Sequence, residues 1–216
     1  MIQTAIFQCN AFQENCYVVW DDATREALII DPGFATEWEW QRVDSHLKQQ
    51  QLTLTRMLLT HSHVDHCLGS AFAARAYGVE VCGSKEDQDH MPMAGTQARA
   101  FGLDVEPYWQ PIDHDLREGD VLTLGDHRIE VIDCPGHSHH GLCDYLPETK
   151  MLFSGDVLFY CSVGRSDFGP AMGGNGPLLV QGIVQKLLTL PAEVKVYPGH
   201  GPQTTIGTEA TYNPYL

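Results

Sequence analysis

The run Leu54-Thr55-Arg56-Met57-Leu58-Leu59-Thr60-His61-Ser62-His63-Val64-Asp65-His66 decides how the chain is read. An apolar, β-like segment, Leu54 to Leu59, is followed directly by His61, His63, Asp65 and His66, four candidate metal ligands. His61 and His63 are two apart, which puts both side chains on one side of an extended segment. A helical pair would stand three or four apart, so this is not an HExxH site. Asp65 and His66 are adjacent and are expected to point in different directions. One ion cannot easily collect all four groups, whereas two ions side by side can. The competing reading, a polar loop with scattered histidines, leaves polar residues behind a buried strand with neither partner nor purpose.

The rest of the composition is that of an ordinary globular chain. Its 216 residues fit a single domain or two fused half-domains, with 43% hydrophobic and 19% charged residues. The net charge of −15, without any Lys/Arg cluster, argues against nucleic acid or an anionic membrane as partner and leaves a small-molecule substrate. No secretory signal and no apolar run of membrane-spanning length is visible. The seven cysteines are odd in number, irregularly spaced and without CxxC, which fits a reduced, cytoplasmic setting. Cys67, next to His66, reads as a small buried apolar residue rather than a soft ligand or redox sensor.

Residues 2–7, 16–20 and 26–30 read as strands, the third ending in Asp31-Pro32-Gly33. Thr36 with Glu39 has the capping-box spacing, and Trp40, Val43 and Leu47 give the helix that follows one buried stripe. Residues 52–59 form the strand that feeds the histidine loop. A helix over 67–77 stops at Gly78, and 79–82 is a short strand. Residues 84–111, broken by Pro92, Gly95, Pro107 and Pro111, read as short helices and an irregular excursion. Gly125-Asp126 turns a hairpin between 120–124 and 127–132. Strands follow at 142–146, 151–153 and 194–197, with a helix over 178–190 and a flexible, Gly-rich stretch at 168–177.

Candidate binding groups recur where these strands end: Asp31, the 61–66 cluster, His137, Asp156 and His200, each beside a Gly, a Pro or a break in the apolar run. Sites are commonly built this way, on loops over a rigid sheet. Two blocks of strands with flanking helices suggest two facing sheets with helices outside, and periodicity by itself supports α/β or α+β with much antiparallel sheet.

With those loops laid out, the chain resembles the metallo-β-lactamase superfamily. The HxHxDH signature is intact as His61-Ser62-His63-Val64-Asp65-His66, and His137 in PGH, Asp156 in SGD and His200 in PGHG follow in the family's order. The resemblance covers nearly the whole chain and implies an α+β fold, a four-layer αββα sandwich, over residues 1–216. Within the superfamily the chain looks most like glyoxalase II and its short hydroxyacylglutathione hydrolase-like relatives, through residues 154–159, 162–167 and 197–207 and the closing Asn213-Pro214-Tyr215-Leu216. The resemblance implies a first metal on His61, His63 and His137, a second on Asp65, His66 and His200, and Asp156 between them. Three features depart from glyoxalase II. The helical C-terminal glutathione-binding domain is not expected here, the Tyr after the last ligand histidine is replaced by Gly201-Pro202-Gln203, and the loop after His137 carries His139 and His140.

The donor set suits two divalent ions, zinc first, with iron or manganese compatible. Two such ions about 3.5–4 Å apart lower the pKa of a bridging water to roughly 7 and provide the nucleophile as hydroxide. Asp65 is the expected catalytic residue, orienting that hydroxide toward a thioester carbonyl, and a thiolate leaving group needs little protonation. Arg165 is the expected substrate contact, with a plain ion pair to Asp167 as the alternative. Asp31 is expected to orient a ligand histidine rather than bind metal. His139 and His140 read either as donors near the metals or as loop residues. His46, His90, His114 and His127 read as surface residues without partners, and the four tryptophans as packing.

Hydrolysis of a hydroxyacyl thioester such as S-lactoylglutathione is therefore the leading expectation. Persulfide dioxygenases share the fold and use one iron on the equivalents of His61, His137 and Asp156, which would leave four further ligands unused. Lactone or phosphodiester hydrolysis suits the same two-metal centre. A non-enzymatic metal-binding module would be expected to have lost at least one of the seven ligands, and none is lost.

Overall fold

The computed structural model describes residues 1–103 and 109–216. Pro107, read above as a helix breaker, lies outside the described residues. Two six-stranded mixed sheets face each other. The first contains β1 (Ile2–Cys9), β2 (Glu14–Asp21), β3 (Glu26–Ile30), β4 (Thr53–Leu58), β5 (Glu80–Gly83) and β6 (His114–Asp115), in that spatial order. The second contains β7 (Val121–Leu124), β8 (His127–Asp133), β9 (Leu142–Leu146) and β10 (Met151–Gly155), with β13 (Lys195–Pro198) and β14 (Thr204–Thr205) continuing beyond β10. A separate two-residue ribbon, β11 (Leu158–Phe159) and β12 (Ser162–Val163), lies near the site.

Alternation along the strands generates the layers. On β2, Tyr17 and Val19 enter the apolar seam between the sheets, where they meet Leu28, Ile30, Leu58, Val131 and Phe153. Val18 points the other way and joins Trp40, Val43 and Leu47 on α1 (Glu37–Gln49). A third apolar layer places Tyr145, Leu152 and Val196 of the second sheet against Leu179 on α6 (Gly176–Gly182) and Ile206 on α7 (Ile206–Tyr212). Strands covered on both faces read as continuous apolar runs, as β2 and β3 do. Three apolar layers between four structural layers make this the αββα sandwich.

The α1 boundaries follow from its caps. Thr36 Oγ1 accepts from the Glu39 N–H at 3.2 Å while Glu39 reaches back to the Thr36 N–H, also 3.2 Å, a cap whose loss costs about 1 kcal/mol. The helix expected over 67–77 is instead two pieces, α2 (Val64–Cys67) and α3 (Ser70–Tyr77), with a break at Leu68-Gly69 and the expected left-handed stop at Gly78. The excursion at 84–111 contains α4 (Lys85–His90) and α5 (Ala94–Ala100). The expected helix 178–190 begins earlier, at Gly176, and widens into a π-turn over Ile183–Leu187, keeping Leu179, Ile183 and Leu187 on one buried stripe.

The Gly-rich stretch at 168–177, expected to be flexible, packs against the His137 loop. The Asn175 N–H donates to Gly136 O at 2.8 Å, and a Cβ on Gly173 would meet the Ser138 backbone at 2.2 Å, so glycine is needed there for close approach. His46 also differs from its reading as a partnerless surface group. Its ring packs edge-on against Phe7 and Trp20, at 5.4 and 5.3 Å between centroids. All seven cysteines are free, and Cys67 is buried. Among the described residues no helix is long and apolar enough to cross a membrane.

Candidate metal centre

Strand direction collects the site. β3 and β4 are parallel and end together, Ile30 opposite Leu58, which delivers Asp31 and the 61–66 loop to one edge. β10 and β13 are likewise parallel, with Gly155 opposite Pro198, which delivers Asp156 and His200. β8 is antiparallel to β9 and β9 to β10, so β8 runs the same way as β10 and brings His137 to the same edge. Hydrogen bonds then stitch the two sheets at that edge. The Leu142 N–H donates to Thr60 O, and Asn15 donates its side chain to Pro198 O and Gly201 O and its backbone N–H to Gly199 O. A Cβ at Gly199 would sit 2.3 Å from Asp156 Oδ1 and 2.6 Å from His66 Cε1, so the segment carrying His200 can lie this close only with glycine.

Three imidazoles form the first group. His63 Nδ1 lies 3.0 Å from His61 Nε2 and 2.8 Å from His137 Nε2. Burial depresses all three pKa values, that of His63 to about 3. Neighbouring rings add to this at His61 and His63, while at His137 the Asp156 carboxylate and the Arg165 carbonyl oppose it without reversing it, so each is a neutral imidazole with a lone pair to share. His137 is oriented from behind by Arg165 O, 2.7 Å from its Nδ1.

Asp65, His66 and His200 form the second group. Asp65 and His66, expected to diverge, stand only about 100° apart on a helical turn, and their tips meet with Asp65 Oδ2 3.7 Å from His66 Nε2. His200 Nε2 is 3.3 Å from the same Asp65 oxygen. Asp156 touches both groups, its Oδ2 3.4 Å from His137 Nε2 and its Oδ1 3.4 Å from His66 Nε2. Burial pushes the Asp65 and Asp156 carboxyls up, but the surrounding imidazoles outweigh it and hold both below the ordinary range.

The fully buried His66 explains why this arrangement calls for a cation. Asp31, Asp65 and Asp156 all lie within 3.7 Å of its ring nitrogens. Burial alone would depress its pKa; the three carboxylates together raise it, so that without metal a proton supplies the charge. His66 Nε2 and Asp156 Oδ1 are buried without a hydrogen-bond partner. Oxygen and imidazole donors converging this way, with surplus negative charge, fit divalent ions.

Asp31 stands behind the ligands. Its Oδ2 lies 2.9 Å from His66 Nδ1 and accepts the Thr60 hydroxyl, while Oδ1 accepts the Thr60 N–H at 2.8 Å. Arg165 lines the cavity over the centre, and its guanidinium is also held by both Asp167 oxygens at 2.9 and 3.0 Å. The ion pair with Asp167, the alternative reading of Arg165, is therefore present at the cavity wall. Neither His139 nor His140 joins the ligand groups: His140 faces Asp133 at 3.1 Å, and His139 packs against His90.

Several residues escaped the sequence reading. Asp87 on α4 accepts from the N–H of Ser62 and of His140, tying the loops of His63 and His137 together. Gln97 on α5 accepts from the Val64 N–H and donates to Ser62 O. Ser84 caps α4, and the Ser84-x-x-Asp87 spacing was the available signal for that helix, though not for what Asp87 reaches. Glu14 is fully buried beside Asp31 and His66, without a hydrogen-bond partner, and burial raises its pKa. No local pattern marks it.

Comparison with known proteins agrees with this geometry. Residues 9–200 match the model of the Metallo-beta-lactamase superfamily. The chain is 37% identical to the hydroxyacylglutathione hydrolase GloC of Haemophilus influenzae, over 98% of this chain and 96% of that protein. The BLEG-1 B3 metallo-beta-lactamase superposes with a TM-score of 0.87 at 34% identity, covering 99% of each chain. TTHA1623, solved in a di-iron-bound form, gives 0.84 at 35% identity, covering 98% of this chain and all of its own.

Proposed function

This chain belongs to the Metallo-beta-lactamase superfamily, and on that footing we propose that it is a binuclear metallohydrolase of acyl thioesters, with hydroxyacyl thioesters of the S-lactoylglutathione type as its reference substrates. The observation that carries the reading is Asp156, whose two oxygens each lie 3.4 Å from a histidine of a different ligand group. One carboxylate shared by two complete groups is what a pair of ions needs.

His61, His63 and His137 would hold one ion and Asp65, His66 and His200 the other. Bound divalent ions supply a water acidic enough to attack near neutral pH and polarise the carbonyl under attack. Asp65 offers the acceptor that aims the attacking water. Asp31 fixes the tautomer of His66 through Nδ1, and Arg165 O does the same for His137, leaving the other ring nitrogen of each free to bind. The carboxyls facing the cavity, Asp65 and Asp156, are held ionised and so provide no proton to a leaving group. That favours a thiolate, which with a thiol pKa of about 8.5 departs unprotonated, over an alkoxide.

The test is thiol release from S-lactoylglutathione by protein loaded in turn with zinc, iron and manganese, beside a lactone and a phosphodiester. Thioester turnover with two metals per chain is expected. Turnover of only the lactone or phosphodiester would displace the reading. So would one iron per chain with oxygen consumption on a persulfide.

A further inference from the structure

The cavity above the metal ligands, about 310 Å³, is walled by phenyl rings from four separate parts of the chain. Phe12, in the turn between β1 and β2, stands edge-on to Phe101 at the end of α5, 6.0 Å between centroids. Phe101 stands edge-on to Phe168 at 6.4 Å, and Phe168 reaches His63 at 5.4 Å and His137 at 5.8 Å. Phe159, on the other side, lies 6.3 Å from His200. Three edge-to-face rings thus run from the surface to the first ligand group. Phe12 and Phe101 remain 40% and 42% exposed, so the wall presents apolar surface at the mouth of the cavity.

The charge lining points the same way. Among the described residues, Arg165 is the one Lys or Arg side chain on the cavity wall. Both Asp167 oxygens already hold its guanidinium, which also lies 4.6 Å from the centre of the Phe168 ring. A glutathione thioester brings two carboxylates and one ammonium into a protein of net charge −15 whose one cavity-wall guanidinium, among the described residues, is already paired with Asp167.

We propose that the site selects thioesters that carry an apolar, uncharged group on the thiol side, bound against the Phe12–Phe101–Phe168 wall, in preference to thioesters of glutathione. This selectivity rests on the thioester reading above. The thioester C–S bond is cleaved by water in either case, giving the carboxylic acid and the free thiol, so only the thiol-side contacts differ.

The experiment compares two substrates with the same acyl group, S-lactoylglutathione and the benzyl thioester of lactic acid, on the metal-loaded full chain. The benzyl thioester is expected to show kcat/KM at least about tenfold higher, since apolar burial is gained and no carboxylate is stranded. Phe101→Ala, at a partly exposed position, should cut the benzyl-to-glutathione ratio by about three- to tenfold, the worth of an aromatic contact. Asp167→Asn should raise kcat/KM on lactoylglutathione several-fold by freeing Arg165 for a substrate carboxylate. A ratio that favours glutathione, or one unmoved by Phe101→Ala, overturns this selectivity and leaves thioester hydrolysis standing. Cleavage of neither thioester overturns the hydrolase reading and the selectivity with it.

Discussion

Asp87 accepts a 2.7 Å hydrogen bond from the backbone N–H of Ser62, which lies 25 residues before it between two candidate metal-ligand histidines. Its other oxygen accepts from the His140 N–H at 2.9 Å, three residues after His137. One buried carboxylate on α4 therefore sets the spacing of the two loops that carry the all-histidine group.

Removing that carboxylate leaves one buried and one partly buried N–H group unpaired. Asp87→Ala should cost about 3 kcal/mol, at roughly 1–3 kcal/mol per stranded donor, and lower Tm by about 6–12 °C. Asp87→Asn, which keeps one acceptor, should lose about half as much. Thermal unfolding with metal analysis decides the matter, and unchanged stability together with full metal content would rule out the clamp.

On the reading proposed above, Asp31 positions His66 through Nδ1 rather than binding an ion. Asp31→Asn removes the charge opposite His66 Nδ1 and disturbs both bonds to Thr60, and metal affinity should fall about 10–100-fold. Competition against a chelator of known strength measures it. An unaltered affinity would show that the Thr60 contacts alone hold the loop.

Asp144 on β9, outside the candidate ligand groups, predicts a pH signature. Its side chain is buried with both oxygens unpartnered, and burial pushes the carboxyl from 3.8 up to about 8. Between those values the folded chain keeps a proton that the unfolded chain has released. The group's contribution to stability is therefore full below about pH 4 and is lost as pH rises toward 8, at up to ~1.4 kcal/mol per pH unit. The neutral Asp144→Asn variant should gain on the parent progressively from pH 5 to pH 8 in denaturant melts. Parallel pH dependences for the two proteins would contradict it.

Chelation should remove both activity and stability. A ligand at a hundred times its Kd adds about 2.7 kcal/mol, so stripping the ions should lower Tm by about 5–10 °C, restored on reloading. Calorimetry before and after exhaustive chelation reads this directly, and no change in Tm would mean that the site is assembled without help from the ions.

The candidate ligand residues that the fold brings together were legible in the sequence because they lie in short local motifs at strand ends, where a spacing of two or a flanking Gly or Pro is visible without the fold. The αββα layering was legible through resemblance and through the two strand blocks, and the Thr36–Glu39 cap of α1 through its own spacing. Apart from Asp31, the residues that brace these side chains were not legible. Asp87, Gln97 and Asn15 act on loops far away in the chain, and hydrogen-bond partners of that kind leave no period or motif. The same holds for Phe12, Phe101, Phe159 and Phe168, which in sequence are four unrelated apolar residues and in space enclose one cavity. Local chemistry thus determined which side chains could bind metal. Which of them share an ion, what braces them and what surrounds the substrate depended on parallel strands ending at one edge, a long-range geometry set only when the two sheets pack.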